Sequence, residues 1–155
     1  MKNDDYNYDN LKKMTYIDYV EKEVTRFYGP VSGIFTRNVV KDHFIKGVPM
    51  KKNTNVSPQF MGVHYSEKYY KNPSEFRPER WISECNQIPA FALGGFNAGP
   101  RVCLGKYFAK LESKIGFIKF MKRYEKIELP VKEFEMFFKA VYQPKDFKAK
   151  MTKKV

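Results

Sequence analysis

The chain has 155 residues, 43% of them hydrophobic and 17% aromatic, with 29 Lys and Arg against 17 Asp and Glu for a formal charge of +12. This apolar content can build a core and excludes a wholly disordered chain; two cysteines exclude a disulfide framework, and no apolar run approaches the ~20 residues of a membrane-spanning helix. The charge is uneven: residues 1–100 carry 14 basic and 11 acidic side chains and residues 101–155 carry 15 and 6, a basic half that suits a solvated lysine-rich face or a polyanionic or acidic partner.

The first twenty residues are acidic and polar and do not read as a secretory signal. Residues 1–10 are expected to be poorly ordered. Residues 11–27 read as one helix, with Ile17, Val20, Val24 and Phe27 on a single apolar stripe and Gly29-Pro30 ending it. Residues 34–40 and 43–48 are β-branched and aromatic and read as extended. Lys51-Lys52-Asn53 reads as a turn into a short strand near Thr54–Val56. Pro73 and Pro78 forbid a long regular element between them. The glycine-rich stretch from Phe91 to Arg101 reads as a loop. A second helix is predicted to start near Leu104, where Leu104, Phe108, Leu111, Ile115 and Ile118 share one stripe and Lys106, Lys110 and Lys114 form a row on another face. Beyond Pro130 short alternating segments follow, with Phe147–Met151 alternating like a half-exposed strand and residues 152–155 left as a tail.

Cys103 is the most informative residue. It lies between the glycine-rich loop and the predicted helix start, in Phe96-Asn97-Ala98-Gly99-Pro100-Arg101-Val102-Cys103-Leu104-Gly105. Unsatisfied N–H groups and the positive dipole end of a helix favour a thiolate. Gly99 and Gly105 leave room for a tight backbone turn or a flat ligand. A cysteine standing alone is most often an inert, buried side chain. A thiolate held at such a place serves as nucleophile or metal ligand. A nucleophile needs a histidine base, and His43 and His64 lie in no recognisable partner motif. A soft ligand to iron fits the pattern better.

The string F-x-x-G-x-R-x-C-x-G resembles the cysteine-ligand signature of the cytochrome P-450 family. Further segments carry the same resemblance. Glu23-Val24-Thr25-Arg26 is similar to the family's E-x-x-R on its K helix, and Arg80 in Pro78-Glu79-Arg80-Trp81 to the arginine of its P-E-R-F segment. In the family these three charges form one buried network bracing the cysteine loop. Taken alone, a Glu/Arg pair at i, i+3 is usually a surface pair of small value. Gly47, Pro49 and Thr54 resemble, out of strict register, the family's Gly-x-x-Pro-x-x-x-Thr pattern. Gly95, Trp81 and Gly29 depart from it, standing where proline, phenylalanine and proline are usual. The departure at Gly95 suggests a more flexible lead-in to the loop, and that at Trp81 a conservative aromatic exchange.

The resemblance implies an α+β fragment of the mainly-α cytochrome P-450 fold, with K helix, β segments, cysteine-ligand loop, L helix and C-terminal strands, so that residues 1–155 are the C-terminal part of one domain. It implies haem b (iron protoporphyrin IX) as cofactor, with Cys103 as the axial iron ligand, Arg101 and Arg37 pairing with propionates, and Phe96, Gly99, Gly105 and Ala109 lying against the haem. It implies a monooxygenase that inserts one oxygen atom from O₂ into a small organic substrate. Segments near Pro30–Thr36 and Phe134–Tyr142 would touch that substrate. Electrons would come from an NADPH-dependent flavoprotein reductase or a ferredoxin-type donor docking on a basic proximal face that includes Lys106, Lys110 and Lys114. Some relatives instead rearrange peroxides without a reductase. The family's acid-alcohol oxygen-activation motif has no counterpart in this sequence, so a fragment with no turnover of its own is expected. Two other readings stay open: a basic non-enzymatic binding module, although no nucleic-acid motif is present, and, for the complete protein, attachment to the endoplasmic reticulum membrane.

Overall fold

A computed structural model describes residues 7–31, 35–130, 134–139, 141–146 and 148–154. Among these residues five helices and eight short strands follow in order. Helix α1 (Tyr8–Lys12) starts on an Asn7 side chain that accepts from the Asn10 N–H at 2.9 Å. Helix α2 (Thr15–Tyr28) ends at Gly29, whose left-handed φ of 47° lets its N–H reach Thr25 O at 3.1 Å. The single helix expected over 11–27 is therefore two, broken at Lys13-Met14. The cause is tertiary. Leu11 is buried, and its carbonyl accepts from Lys114 Nζ at 3.0 Å and from Met14 N at 3.2 Å, which diverts it from the helical ladder.

The strands make four antiparallel two-stranded ribbons. Strand β1 (Arg37–Asn38) pairs with β4 (Asn55–Val56). Strand β2 (His43–Ile45) pairs with β3 (Val48–Met50), joined by Lys46 and Gly47, both at positive φ, as a two-residue hairpin turn requires. Strand β5 (Tyr124–Glu128) pairs with β8 (Lys150–Lys153), and β6 (Met136–Lys139) with β7 (Val141–Pro144). The strand expected at Phe147–Met151 lies further on, at Lys150–Lys153, and is exposed on both faces, so part of the expected tail is paired; Phe147 is outside the described residues.

Helices α3 (Phe60–His64), α4 (Arg80–Ser83) and α5 (Lys106–Arg123) complete the set, the first two of them unanticipated. Helices α3, α4 and α5 all contact α2. Between α2 and α5, Lys110 pairs with Glu21 at 3.0 Å and Lys114 with Asp18 at 2.8 Å. Position rises along one helix as it falls along the other, so the two run antiparallel. Two of the three lysines expected to face a partner, Lys110 and Lys114, are thus engaged with α2, and Lys114 is only 8% exposed.

The apolar core is small. Tyr70, Trp81 and Ala92 form its cluster, with Tyr19, Val63, Ile88 and Leu93 packed around them. The largest fully buried side chains are Arg26, Arg80, Tyr70, His64 and Glu23. The centre of the molecule is therefore charged, and the expected stripe of α2 only half-buried. On α5 the stripe is buried at Ile118 but open at its start, with Leu104 101% and Phe108 72% exposed. Among the described residues no helix is long and apolar enough to cross a membrane.

Candidate functional site

Glu23 and Arg26 face one another across one turn of α2, both fully buried. Arg26 donates to both carboxylate oxygens, from Nη2 at 2.7 Å and Nε at 3.1 Å. Its remaining N–H groups reach the carbonyls of His64 (2.9 Å), Pro73 (2.8 Å) and Glu75 (3.0 Å). All five guanidinium donors are thereby used. Arg80, at the start of α4, donates from Nε to Glu23 Oε1 at 3.0 Å and from its terminal nitrogens to the carbonyls of Lys71, Asn72 and Glu75. Asn72 adopts a left-handed φ of 47° in this turn. The chain from His64 to Glu75 is wrapped carbonyl-inward around two cations.

Two further donors complete the carboxylate's partners. Arg77 N donates to Oε1 at 2.9 Å and Trp81 Nε1 to Oε2 at 3.0 Å. Burial by itself raises the Glu23 pKa, but the bonds from Arg26, Arg77 and Arg80 outweigh it and hold the carboxyl below its ordinary range. Trp81 is thus more than an aromatic exchange, because its indole N–H does what phenylalanine could not. Its signal in the sequence was a donor-bearing aromatic directly after Arg80.

From this network the structure leads to the loop. The His64 carbonyl takes Arg26, while its Nε2 accepts from Gly94 N at 3.4 Å. A methyl group built on Gly94 would lie 2.0 Å from the Phe60 ring, and one on Gly95 would lie 1.9 Å from Thr25 Cγ2. The lead-in to the loop is therefore closely fitted at Gly95, where slack was expected. Phe60 also meets Phe35 edge-on, with ring centroids 5.5 Å apart, which ties the approach to β1 to the same place.

The loop closes through its backbone. Cys103 N donates to Phe96 O at 2.8 Å, and Val102 N to Gly99 O at 3.1 Å across the 3₁₀ turn Gly99–Arg101. Asn97 (φ 61°) and Gly99 (φ 65°) supply the left-handed residues, and the Asn97 side chain accepts from Ala98 N at 2.9 Å. Helix α5 starts at Lys106, two residues later than expected, and its first free N–H, that of Lys106, donates to Cys103 O at 3.2 Å. The thiol is exposed, so the inert buried role does not apply. Nothing lies within 4 Å of a methyl group built on Gly99 or Gly105, and Leu104 and Phe108 stand exposed beside them in the chain. Cys103, Leu104 and Phe108 are thus all exposed, with the exposed Arg101 two residues before the cysteine.

Glu23, Arg26 and Arg80 are brought together; Phe96, Gly99, Cys103 and Gly105 share one loop. Ala109 sits half-buried in the first turn of α5, its N–H on Gly105 O at 2.9 Å. Arg101 and Arg37 are exposed, and Arg37 donates to Thr36 O at 3.0 Å. The two segments expected to touch substrate meet, Tyr142 N donating to Pro30 O at 2.8 Å, although residues 32–34 and 140 lie outside the described part. A groove of about 310 Å³ opens beside the loop between Thr25, Gly95, Phe96, Asn97, Lys106 and Lys110; Cys103 does not line it.

The sequence profile of the cytochrome P450 family matches residues 1–151. The chain belongs to the cytochrome P450 family. It is 35% identical over 140 residues to "Putative cytochrome P450 120" of Synechocystis sp., covering 89% of this chain and 31% of that protein. It is 33% identical over 139 residues to "Putative cytochrome P450 CYP13A5" of Caenorhabditis elegans, covering 84% and 26%. Retinoic acid bound cyanobacterial CYP120A1 superposes with a TM-score of 0.89 at 30% identity, over 99% of this chain and 36% of that one. The cytochrome P450DA heme domain, at 22% identity and a TM-score of 0.87, shares the fold. The chain is thus an α+β part of the cytochrome P450 fold, spanning about a quarter to a third of the length of its curated relatives. A P450 cofactor is a flat, largely apolar macrocycle around iron, and the residues present fit it: the exposed soft sulfur of Cys103 lies in a loop with exposed Leu104 and Phe108 near it in the chain and with open space where side chains on Gly99 and Gly105 would stand.

Proposed function

We propose that this chain is the haem-binding C-terminal part of a haem-thiolate monooxygenase, which inserts one oxygen atom from O₂ into a small organic substrate. The observation that carries the reading is the exposed Cys103 thiol, carried by a loop that the Cys103 N–Phe96 O bond closes and in which Gly99 and Gly105 border open space. Cys103 Sγ would hold the iron of haem b. Haem supplies oxygen activation when bound, and a cysteine thiolate raises electron density at its iron. Phe96 fixes the backbone of the ligand through its carbonyl. Leu104, Phe108 and Ala109 offer apolar contact along the start of α5, and the exposed Arg101 and Arg37 suit propionates, whose carboxylates a guanidinium binds in bidentate fashion. Electrons come from an NADPH-dependent flavoprotein reductase or a ferredoxin-type donor. Of the three lysines expected on the docking face, Lys106 alone has no ion pair among the described residues. Taken alone, residues 1–155 leave the thiol face wet, so the isolated chain gives no turnover with a reductase, because oxygen chemistry needs a site that excludes water.

A haem titration of residues 1–155, followed by the reduced carbonyl difference spectrum, tests the reading. The expected result is a red-shifted thiolate-type Soret band that Cys103→Ala abolishes. Haem uptake with the same spectrum in Cys103→Ala would overturn the ligand assignment.

A further inference from the structure

His64 ends α3 fully buried. Its two polar ends point to two different parts of the site. The carbonyl takes Arg26 Nη1 at 2.9 Å, inside the charge network. The ring Nε2 takes the Gly94 N–H at 3.4 Å, at the approach to the cysteine loop. A backbone N–H only donates, so Nε2 keeps its lone pair and the ring is neutral with its proton on Nδ1. Burial and the neighbouring Arg26 guanidinium favour that neutral form, lowering the imidazole pKa to about 4.

The ring is held on two sides. Phe60 stacks on it at 6.3 Å and 25°, and Tyr70 meets it edge-on at 6.4 Å and 83°. Phe60 also fills the space that a side chain at Gly94 would need. Gly94 is therefore gripped by its N–H and by its Cα together. Two residues on, Phe96 O holds Cys103 N. Nδ1 of His64 has no hydrogen-bond partner among the described residues. A buried donor left without a partner is a cost, which an aromatic hydrocarbon ring would avoid, so the ring's worth lies in Nε2.

We propose that His64 is a positioning residue for the ligand loop: its Nε2 fixes Gly94, and through Gly94 the Phe96–Cys103 closure that presents the sulfur. The charge network thus reaches the loop through one imidazole rather than by direct bonds. This inference rests on the haem-thiolate reading and extends it, but one part of its test needs no haem.

The test compares His64→Phe, which keeps the stacked ring and removes the acceptor, with His64→Gln, which restores an acceptor near the Nε2 position. Amide hydrogen exchange is measured on the haem-free chain at neutral pH. His64→Phe is expected to speed exchange at Gly94 and Cys103 by about tenfold or more while Ile118 in α5 stays within about twofold. His64→Gln is expected to return both loop amides toward the wild-type rate. In the haem-loaded chain, His64→Phe shifts the reduced carbonyl spectrum from thiolate-type to thiol-type, and His64→Gln shifts it back. Unchanged exchange at Gly94 and Cys103 in His64→Phe, or no rescue by His64→Gln, would overturn the proposal. Should His64→Phe fail to fold, ¹⁵N shifts of the wild-type imidazole decide: a protonated Nε2 overturns the proposal, a protonated Nδ1 supports it. A wild-type chain that takes up no haem with thiolate character refutes the haem reading and leaves the exchange result to stand by itself.

Discussion

Replacing Gly95 by alanine should destabilise the chain, and Thr25→Ala should remove most of the effect. The added methyl would sit 1.9 Å from Thr25 Cγ2 and 3.5 Å from Thr25 Cβ, against a normal carbon–carbon separation of about 3.5–4.0 Å. Thr25 cannot swing aside easily: it is buried within α2, between Glu23 and Arg26, and its branched side chain is stiff in a helix. Gly95 is not in the left-handed region, so the backbone itself accepts alanine. Overpacking of this kind costs about 1–3 kcal/mol, offset by about 0.4–1 kcal/mol from the stiffer unfolded chain. Thr25→Ala removes the 1.9 Å clash and leaves only the 3.5 Å contact, so the double variant should recover about 1–3 kcal/mol relative to additivity. Urea unfolding followed by the fluorescence of Trp81, the single tryptophan, measures all four corners of the cycle. A Gly95→Ala protein as stable as wild type, or strict additivity, would refute the close fit.

Glu23→Ala should cost about 3–5 kcal/mol, because it leaves Arg26 and Arg80 buried without their shared counter-charge; a denaturant midpoint close to wild type would contradict this. Stability should also fall as pH is lowered from about 6.5 towards 4. The unfolded His64 takes up a proton near its ordinary value of 6.5 while the folded ring resists until about 4, so the unfolded state binds more protons in that window. The loss amounts to roughly 3 kcal/mol. It should vanish in His64→Gln, and a flat wild-type profile there would count against the buried neutral ring. Glu23, held below its ordinary range, contributes stability that is full above the ordinary carboxylate value and is lost as pH falls through that value toward its lower folded one.

Local signals in the sequence carried local structure well. Gly29 after an apolar helical run marks a left-handed cap, Lys51-Lys52-Asn53 turns as its composition demands, and the glycine-rich segment before Cys103 makes the loop. The motif residues Glu23, Arg26 and Arg80 assembled as their resemblance implied. The remainder depended on partners far along the chain. Nothing near Lys13 foretells the break after α1, because it is made by Lys114, 103 positions beyond Leu11. The lysine row on α5 has the period of a solvated face, and only the position of Asp18 and Glu21 on an antiparallel neighbour turns Lys110 and Lys114 toward α2. His64 sits in a short segment without helical length, and the meaning of its ring lies in Gly94, 30 positions away. The stripe on α5 shows the opposite case. Its period is plain, yet periodicity identifies an apolar face without saying what covers it, and here Leu104 and Phe108 remain open.

Each of the four ribbons has two strands; although Tyr142 N in β7 is taken by Pro30 O, β5 and β8 pair with no third strand among the described residues and so present rows of backbone donors and acceptors at their edges. Such rows can recruit an extended segment from any chain that comes near. Charge is the main defence along β5 and β8, where Lys126, Lys150 and Lys153 stand exposed, and Pro49 in β3 and Pro144 in β7 each withhold a donor. Repulsion between such lysines opposes pairing between copies, and salt screens it beyond about 8–10 Å at ordinary ionic strength. The same lysines that give the C-terminal part its basic character act here against strand exchange between neighbours.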